Sequence, residues 1–370
     1  MNAFKVLEKI EENGFEAYIV GGYVRNKILG IETSDIDICT NARVKDLVKI
    51  FGDACQTSGQ YGAVKLIGNN SCIDITTYRK DLSYKGSRRD VEIEYVDNLI
   101  DDIKRRDFTM NTLCMSKNGS IIDLLNGRKD INNHIVRCVG DVTTKIKEDP
   151  LRMLRAVRFA TVLDFKIEEE LYSKLHEYNY LIFNLSKDRI KEELNKILLS
   201  KNVLRGLKIL DDLGMLKLLE ISYRDDIKPV SDICGMYSQL TIKSKFPFSK
   251  GEKENIHDIK EILKYGTIDE YVVYYYGLYK SMVAGDILGI DKDVITYIEK
   301  NLVIKKDKDI DITSDEICKT LGVFPGKAIG LVYDKIRPLI LSSKLENSKQ
   351  SIIDYIIANK ELFVNERRNV

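Results

Sequence analysis

The sequence predicts an α+β fold, with a small mixed sheet and helices in its first part and an all-α region after it. Short apolar runs of strand length recur in the first part, at Ala17–Val20, Ile36–Cys39, Ala63–Ile67 and Ser71–Thr76. After about residue 140 such runs vanish, and apolar residues recur almost continuously at helical spacing. The chain has 370 residues. It is therefore longer than one ordinary domain, and roughly two to four domains are expected.

Helices and a turn are predicted around these strands. Helical spacing of apolar residues at Phe4–Asn13, Val24–Leu29 and Val44–Phe51 predicts three helices. Gly68-Asn69-Asn70, between two apolar runs, predicts a hairpin turn. We expect the sheet to end near Val136.

Composition and charge limit the class of protein. Lys and Arg number 58 against 57 Asp and Glu, and this net charge of +1 neither indicates nor excludes a nucleic-acid binder, because local basic patches set phosphate affinity. The seven cysteines are scattered without a C-x-x-C pair, which favours buried thiols in a reducing compartment. No run reaches the roughly 18 consecutive apolar residues of a membrane span. We expect a cytoplasmic protein with no membrane partner.

Two aspartates one residue apart are the most informative local feature. Asp35 and Asp37 share one face of a predicted strand, because side chains at i and i+2 point the same way. Adjacent carboxylates repel unless a cation lies between them, and their hard oxygens suit Mg²⁺. Gly21 and Gly22 lie between a strand and a helix, where the backbone can approach a phosphate. Each motif alone is common; together they indicate phosphoryl or nucleotidyl transfer.

Two further segments carry candidate phosphate chemistry. Asp74 lies between isoleucines in a predicted strand, and it is either a third metal ligand or an outward-facing surface residue. Arg105 and Arg106 are adjacent guanidinium groups, which can pair with triphosphate oxygens or form an ordinary solvated charge pair.

A polar stripe follows on a predicted helix. Pro150 and the acids before it indicate a helix start. Asp149, Arg152, Arg155 and Arg158 then recur every three residues on one face. Three arginines in one row repel one another, so an anionic partner or nearby acids must compensate them.

Taken in order, these segments resemble one family. The motifs G-G-x-V-R, D-x-D, I-D-x-T-T-Y-R, R-R-D-F-T-x-N and E-D-P-L-R-x-L-R-A-x-R-F are similar to those of the class II tRNA nucleotidyltransferase (CCA-adding) and bacterial poly(A) polymerase family, within the polymerase-beta-type nucleotidyltransferase superfamily. They cover residues from about 20 to 160, and the segment from Ser186 to Glu193 resembles the family more weakly. Asn26 and Lys145 depart from the pattern, where the family usually has aspartate and arginine.

The resemblance implies a domain order and a set of site residues. It implies a catalytic head at 1–137, a base-recognising neck at 138–200, a helical body at 201–250 and a helical, tRNA-binding tail at 251–370. A two-metal Mg²⁺ site is implied on Asp35, Asp37 and Asp74. The implied nucleotide-binding residues are Gly21, Gly22, Arg25, Arg106, Asp107, Asn111, Asp149, Arg152, Arg155 and Arg158.

Within this resemblance, Asp149 and Arg152 match the pair that selects the base. Cytosine and adenine each present an amino donor beside a ring-nitrogen acceptor, which suits a carboxylate beside a guanidinium. UTP and GTP place a carbonyl against the carboxylate, so the polar groups of the site are left opposed. This selection needs no nucleic-acid template.

The tail contains a weaker match. Pro325-Gly326-Lys327-Ala328-Ile329-Gly330 resembles a P-G-P-x-I-G element of the family, with lysine in place of proline. Lys327 and free N–H groups at a helix start can hold a tRNA phosphate, but a purely structural helix start is an equal alternative.

We predict addition of C, C and A to the tRNA 3′ end from CTP and ATP, by attack of the RNA 3′-hydroxyl on the α-phosphorus with release of pyrophosphate. Poly(A) synthesis, CC-only or A-only addition, and an inactive RNA-binding module are the alternatives.

The polar stretch from Lys80 to Glu94 is long enough for the loop that the family associates with switching from C to A. The S-D-I-D strand differs from the K-D-F-D form associated with poly(A) polymerases. The sequence leaves open the oligomeric state and the choice between Mg²⁺ and Mn²⁺.

Overall fold

The computed structural model describes residues 2–58, 62–68, 71–84 and 91–364. The chain divides into two compact units, the first comprising Met1–Ser222 with Ile242–Pro247 and the second Tyr223–Thr241 with Phe248–Val370. Across the described residues, no helix is long and apolar enough to cross a membrane. The division into head, neck, body and tail stays a prediction.

The first unit begins with interleaved helices and strands and continues with helices. Its strands are β1 (Ala17–Val20), β2 (Ile36–Thr40), β3 (Cys55–Ser58), β4 (Ala63–Gly68), β5 (Ser71–Thr77), β6 (Arg79–Tyr84), β7 (Val91–Tyr95), β8 (Cys114–Met115), β9 (Ile121–Ile122), β10 (Ile135–Val136) and β11 (Lys166–Ile167). Its helices are α1 (Ala3–Glu12), α2 (Gly22–Ile28), α3 (Val44–Phe51), α4 (Leu99–Lys104), α5 (Gly127–Asn132), α6 (Val142–Glu148), α7 (Leu151–Val162), α8 (Glu169–Glu177), α9 (Lys187–Leu198), α10 (Val203–Asp212) and α11 (Met215–Leu218).

A seven-stranded mixed sheet, in the order β3-β4-β5-β2-β1-β8-β9, carries the predicted acids. Strands β2 and β5 are parallel, and their register places Asp37 beside Asp74. The pairs β4–β5 and β1–β2 are antiparallel. Val64, Leu66, Ile73 and Ile75 are buried on one face of β4 and β5. Helix α3 contacts β3 and β4 and packs on this buried face, so Asp74 and its neighbours at i±2 lie on the other face.

The predicted strands and helices of the first part are confirmed within one or two residues. Strand β1 has the bounds of its apolar run, and helix α3 has the predicted bounds because its apolar residues recur at an unbroken helical period. Of the predicted turn at 68–70, residues 69 and 70 lie outside the described residues.

The prediction that strands vanish after residue 140 is wrong in detail. The structure has β11, β12 (Ile221–Tyr223) and β13 (Leu240–Ile242) in that region. Runs of two or three residues are too short to show a period, and their pairing depends on tertiary neighbours.

Helix α7 follows from its sequence. It begins directly after Pro150, whose ring fixes a helical φ at the helix start. Met153, Leu154, Ala156 and Val157 are completely buried, and α7 packs against α9 and α10. This packing holds the polar stripe of α7 in a fixed orientation.

The second unit is mainly helical and has its own core. Its helices are α12 (Ile233–Ser238), α13 (Lys250–Tyr265), α14 (Glu270–Leu288), α15 (Lys292–Lys300), α16 (Ser314–Leu321), α17 (Lys327–Leu341), α18 (Lys349–Ala358) and α19 (Lys360–Val364). Capping boxes at Ser249 and Thr313 start α13 and α16, as their serine or threonine with glutamate three residues later predicts. Buried isoleucines, including Ile317, Ile336 and Ile352, form the core.

Candidate functional site

A polar cleft of about 350 Å³ in the first unit brings together twelve of the fourteen predicted site residues. Its wall contains the glycine turn, the first two acids and the polar stripe of α7. The predicted residues that line it are Gly21, Gly22, Arg25, Asp35, Asp37, Arg106, Asp107, Asn111, Asp149, Arg152, Arg155 and Arg158. Asp74 and Lys327 are not part of this wall.

The glycine turn joins β1 to α2 at the cleft. Gly21 has φ +78°, which an L side chain rarely adopts, and its N–H donates to the carbonyl of Leu113 at 3.1 Å. A Cβ atom at this position would meet the Asn111 carbonyl oxygen at 3.6 Å and Arg106 Nη1 at 3.7 Å, which is ordinary contact. The constraint on Gly21 is therefore its backbone angle and not the available space.

The three acids lie at neighbouring positions of the sheet. Asp37 is in β2, Asp35 immediately precedes that strand, and Asp74 is the register partner of Asp37 in β5. Protein packed around the Asp37 carboxyl raises its pKa; Arg106 opposes this rise, and the negative charges of Asp74 and Asp35 add to it. Such mutual repulsion is what a hard divalent cation relieves, so the donor set suits Mg²⁺.

The carboxylates of Asp35, Asp37 and Asp74 do not form a metal coordination shell in this structure. Within the described residues, no three His, Cys, Asp or Glu side chains form a group that could hold a metal ion as they stand. Asp74 Oδ1 instead lies 3.6 Å from Lys65 Nζ, and both side chains are about half exposed, at 54% and 50%.

A chain of hydrogen bonds connects α2 to α7 behind the glycine turn. Arg25 Nη1 donates to Asn111 Oδ1 at 2.5 Å, and Asn111 Nδ2 donates to Asp107 Oδ1 at 3.0 Å. Asp107 Oδ2 accepts from Arg155 Nε at 2.7 Å. Burial alone would raise the pKa of Asp107, but Arg155 and the bonds from Asn111 and the Phe108 N–H hold that pKa well below its usual range.

Of the two arginines in this series of hydrogen bonds, Arg25 bonds to amide oxygens, whereas Arg155 pairs with a carboxylate. Burial lowers the pKa of Arg25 to about 10; Asp107 opposes the fall, and Arg158 and Arg155 add to it. Arg25 Nη2 also donates to Asn26 Oδ1 at 2.8 Å. Asn26, the departure from the family pattern, therefore still serves as an acceptor but brings no negative charge. An anion in the cleft would meet a positive potential here.

Asp102 also belongs to the site, although no sequence motif marked it. This completely buried side chain accepts from Arg105 Nε at 2.8 Å and from Arg106 Nη2 at 2.9 Å. These pairs outweigh the effect of burial and lower the pKa of Asp102. The i,i+3 and i,i+4 spacing from Asp102 to the two arginines was a signal that could have found it.

Asp149 and Arg152 are each held by other residues. Arg189 Nη2 lies 3.2 Å from both oxygens of Asp149. Arg152 Nη1 donates to the Lys145 carbonyl at 2.6 Å and to Glu148 Oε2 at 2.9 Å. Both side chains are buried, at 6% and 7% exposure, yet they line the cleft. The two groups are thus fixed in place while facing one space.

Acids and an aromatic ring compensate the arginine row. Arg158 Nη1 lies 3.1 Å from Glu193 Oε2, and Arg155 pairs with Asp107. The ring of Phe159 lies 4.1 Å from the Arg158 guanidinium carbon and within 6 Å of those of Arg25 and Arg155. The expectation of nearby acids is confirmed. Phe159 was missed, because nothing local distinguishes it from a core residue.

Two predicted features stay untested by this geometry. Lys327 is the first residue of α17 in the second unit, after Gly326, and its role in RNA binding stays a prediction. The predicted loop from Lys80 to Glu94 is largely strand, because residues 80–84 and 91–94 belong to the antiparallel pair β6 and β7, and residues 85–90 between them lie outside the described residues.

Strand-borne acids beside a glycine turn, facing an arginine-lined helix, define a nucleotidyltransferase with a polymerase-beta-type head. The comparisons agree. Residues 17–137 match the family model "Poly A polymerase head domain", residues 164–222 match "Probable RNA and SrmB- binding site of polymerase A", and residues 240–356 match a model of tRNA nucleotidyltransferase domain 2.

Relatives cover the chain from end to end. The CCA-adding enzymes of Ligilactobacillus salivarius and Lactobacillus helveticus are each 31% identical to it, over 95% and 96% of both chains respectively. The chain belongs to the family of CCA-adding enzymes.

Solved structures share the fold. The Bacillus stearothermophilus CCA-adding enzyme in complex with CTP has a TM-score of 0.85 at 22% identity, over 100% of this chain and 98% of that one. The Thermotoga maritima CCA-adding enzyme complexed with tRNA has a TM-score of 0.67 at 22% identity, over 97% and 95%.

Proposed function

We propose that this chain adds C, C and A to the 3′ end of tRNA, taking CTP and ATP and releasing pyrophosphate. One observation carries this proposal most directly. Asp35 and Asp37 line a single cleft with the Asp149–Arg152 pair, so a nucleotide whose base reached α7 would keep its phosphates beside Asp37 and Arg25. Membership of the CCA-adding family supports the choice of activity.

Base selection is assigned to the fixed polar pair. Asp149 accepts the exocyclic amino group of cytosine or adenine, and Arg152 donates to the neighbouring ring nitrogen. Because Arg189 and Glu148 hold these side chains in place, they cannot turn to suit a carbonyl. UTP and GTP then leave buried polar groups opposed, which costs roughly 1–3 kcal/mol for each lost bond. No nucleic-acid template is needed for this selection.

The phosphates are assigned to the other end of the cleft. Arg25 and Arg106 supply positive charge, and the turn at Gly21 lets the backbone come close. Asp35, Asp37 and Asp74 would hold Mg²⁺, with two ions expected. When bound, these ions stabilise the charge on the entering and leaving oxygens. The residues of this chain bind and orient the nucleotide.

We also propose a cytoplasmic location. Across the described residues the seven cysteines are free, and four of them are buried. Free buried thiols fit a reducing compartment. The partners are the tRNA 3′ end and the two nucleotides.

The test is incorporation into a tRNA transcript that lacks its 3′ CCA, with CTP, ATP, UTP and GTP supplied singly and together. We expect addition of C, C and A, with UMP and GMP excluded. A long A tract would instead establish a poly(A) polymerase. Addition of only C or only A would establish a partial activity, and tRNA binding without any incorporation would establish an RNA-binding module.

A further inference from the structure

The sheet face that carries Asp74 stays open beyond it. On β4 and β5, Lys65, Ile67, Cys72 and Asp74 are exposed, whereas the residues between them are buried. The register pairs Lys65 with Asp74 and Ile67 with Cys72. These four side chains form one continuous surface, here called the open strip, within which Ile67 is an apolar side chain at 48% exposure.

The open strip lies on the far side of the acids from the glycine turn. In the sheet, β2 with Asp37 has β1 on one side and β5 on the other. The turn at Gly21 and the Arg25 side chain follow β1, so phosphates held there lie on the β1 side of Asp37. Asp74 and the open strip lie on the β5 side.

In-line transfer assigns the two sides to different substrates. The entering and leaving oxygens stand roughly opposite each other across the phosphorus in phosphoryl transfer. If pyrophosphate leaves over β1 and α2, the RNA 3′-oxygen must enter from the β5 side. The nucleotide that carries this oxygen then lies over β5 and β4.

We propose that the open strip binds the 3′-terminal nucleotide of the acceptor RNA, with the Lys65 ammonium on its phosphate and Ile67 against its ribose or base. This inference rests on the proposed function. Adjacent strands are about 4.8 Å apart, so Lys65 lies one strand beyond Asp74, where the backbone of that nucleotide continues away from the acids.

The present partner of Lys65 does not prevent this role. The Lys65–Asp74 contact is 3.6 Å long, and both side chains are about half exposed. Exposed pairs of this kind contribute little to stability. Lys65 can therefore exchange the carboxylate for an RNA phosphate, and Asp74 is then released for a cation.

Cys72 provides a direct test within the strip. Of the seven cysteines, all of them within the described residues, only Cys72 is exposed. With saturating tRNA that lacks CCA, we expect N-ethylmaleimide to modify Cys72 severalfold more slowly than in the free protein, with the site of modification read by mass spectrometry. The same tRNA shortened by several further 3′ nucleotides should leave the rate unchanged. Cys72→Ser identifies the signal.

Lys65→Ala tests the phosphate contact by tRNA binding, measured in EDTA without nucleotide. We expect the Kd to rise by about five- to tenfold, and the slope of log Kd against log salt to fall by about one. Lys65→Arg should restore most of the affinity. Lys45→Ala is the matched control, because Lys45 is exposed on α3, which packs on the opposite face of the same strands.

The outcomes separate the two proposals. Equal Cys72 reactivity with both tRNAs, in a protein that adds CCA, would overturn the open strip and leave the function intact. Protection of Cys72 with no change for Lys65→Ala would overturn the phosphate contact. If no nucleotide is incorporated at all, the proposed function fails, and 3′-end-dependent protection of Cys72 would still support the strip as a site for an RNA end.

Discussion

Asp35 and Asp37 line the same cleft as the arginines of α7, but the charges of the two groups are balanced in different ways. Asp35 and Asp37 lie open to the cleft, and protein packed around the Asp37 carboxyl, with added repulsion from Asp74 and Asp35, raises the pKa of Asp37. Arg155 and Arg158 are paired with Asp107 and Glu193 and lie against an aromatic ring.

This difference indicates a division of tasks. Groups that must receive a cation remain underneutralised, because prior pairing would have to be broken when the ion binds. Groups that must discriminate between bases are held by several bonds, because a side chain that can rotate would accept the wrong donor pattern. The unpaired carboxylates can therefore accept a cation, whereas the side chains of α7 are held in a fixed arrangement that suits particular donor and acceptor patterns.

The largest effect should come from removing an acid. Asp35→Ala should lower incorporation by at least about 1000-fold, because the site loses a ligand for the cation that stabilises the reacting oxygens. tRNA binding and thermal stability should stay close to wild type. Incorporation assays and calorimetry measure the two. Full activity in this variant would contradict the metal assignment.

Removing the acid that pairs with an arginine of α7 should lower stability. Asp107→Ala removes the partner of Arg155 and leaves buried positive charge, which should lower the free energy of unfolding by about 3 kcal/mol. Urea unfolding followed by circular dichroism measures this loss. Asp226→Ala is the control, because its pair with Arg224 is exposed and such pairs contribute little. Equal free energies of unfolding for the two variants would show that the buried hydrogen bonds through Asp107 do not stabilise the fold.

A smaller effect is expected for Arg189, which acts through Asp149. Arg189→Ala should reduce the preference for CTP over UTP by about tenfold, because Asp149 is no longer fixed. Values of kcat/KM for each nucleotide measure it. Arg189→Lys should restore part of the preference. A uniform loss of activity with all nucleotides would indicate a structural role instead.

The smallest effect concerns pH. Asp37 has a raised pKa. On acidification it therefore takes up a proton at a higher pH than an ordinary aspartate, whose pKa is near 3.9. Its contribution to stability is present below that value and is lost as pH rises through the raised pKa. Asp107 has a lowered pKa, so its contribution is present above about pH 3.9 and is lost only at lower pH, through its folded pKa.

Activity should therefore decline on acidification while the fold is still intact. More Mg²⁺ should move the midpoint to lower pH, since the ion competes with the proton. Initial rates and circular dichroism over one pH series test this order. Coincident loss of activity and structure would contradict it.

Much of the site could be predicted because its motifs are local. The acid pair, the glycine turn and the arginine row each lie within a few residues, and strand and helix periods place their side chains on one face. Of their partners, Asp102 could have been found from its spacing to Arg105 and Arg106, whereas Phe159 carries no motif of its own. The role of Phe159 depends on which guanidinium groups surround its ring in the folded protein.

By itself, the sequence determined four strands of the first part, the helix after Pro150 and the close spacing of Asp35 and Asp37, because short-range patterns and steric preferences set them. Only the tertiary structure decided which charges meet. Arg25 reaches Asn111 across 86 positions, Arg155 reaches Asp107 across 48, and Arg189 reaches Asp149 across 40. The pairing of Asp74 with Lys65 follows from strand register. Such contacts depend on how elements pack, which no local pattern encodes.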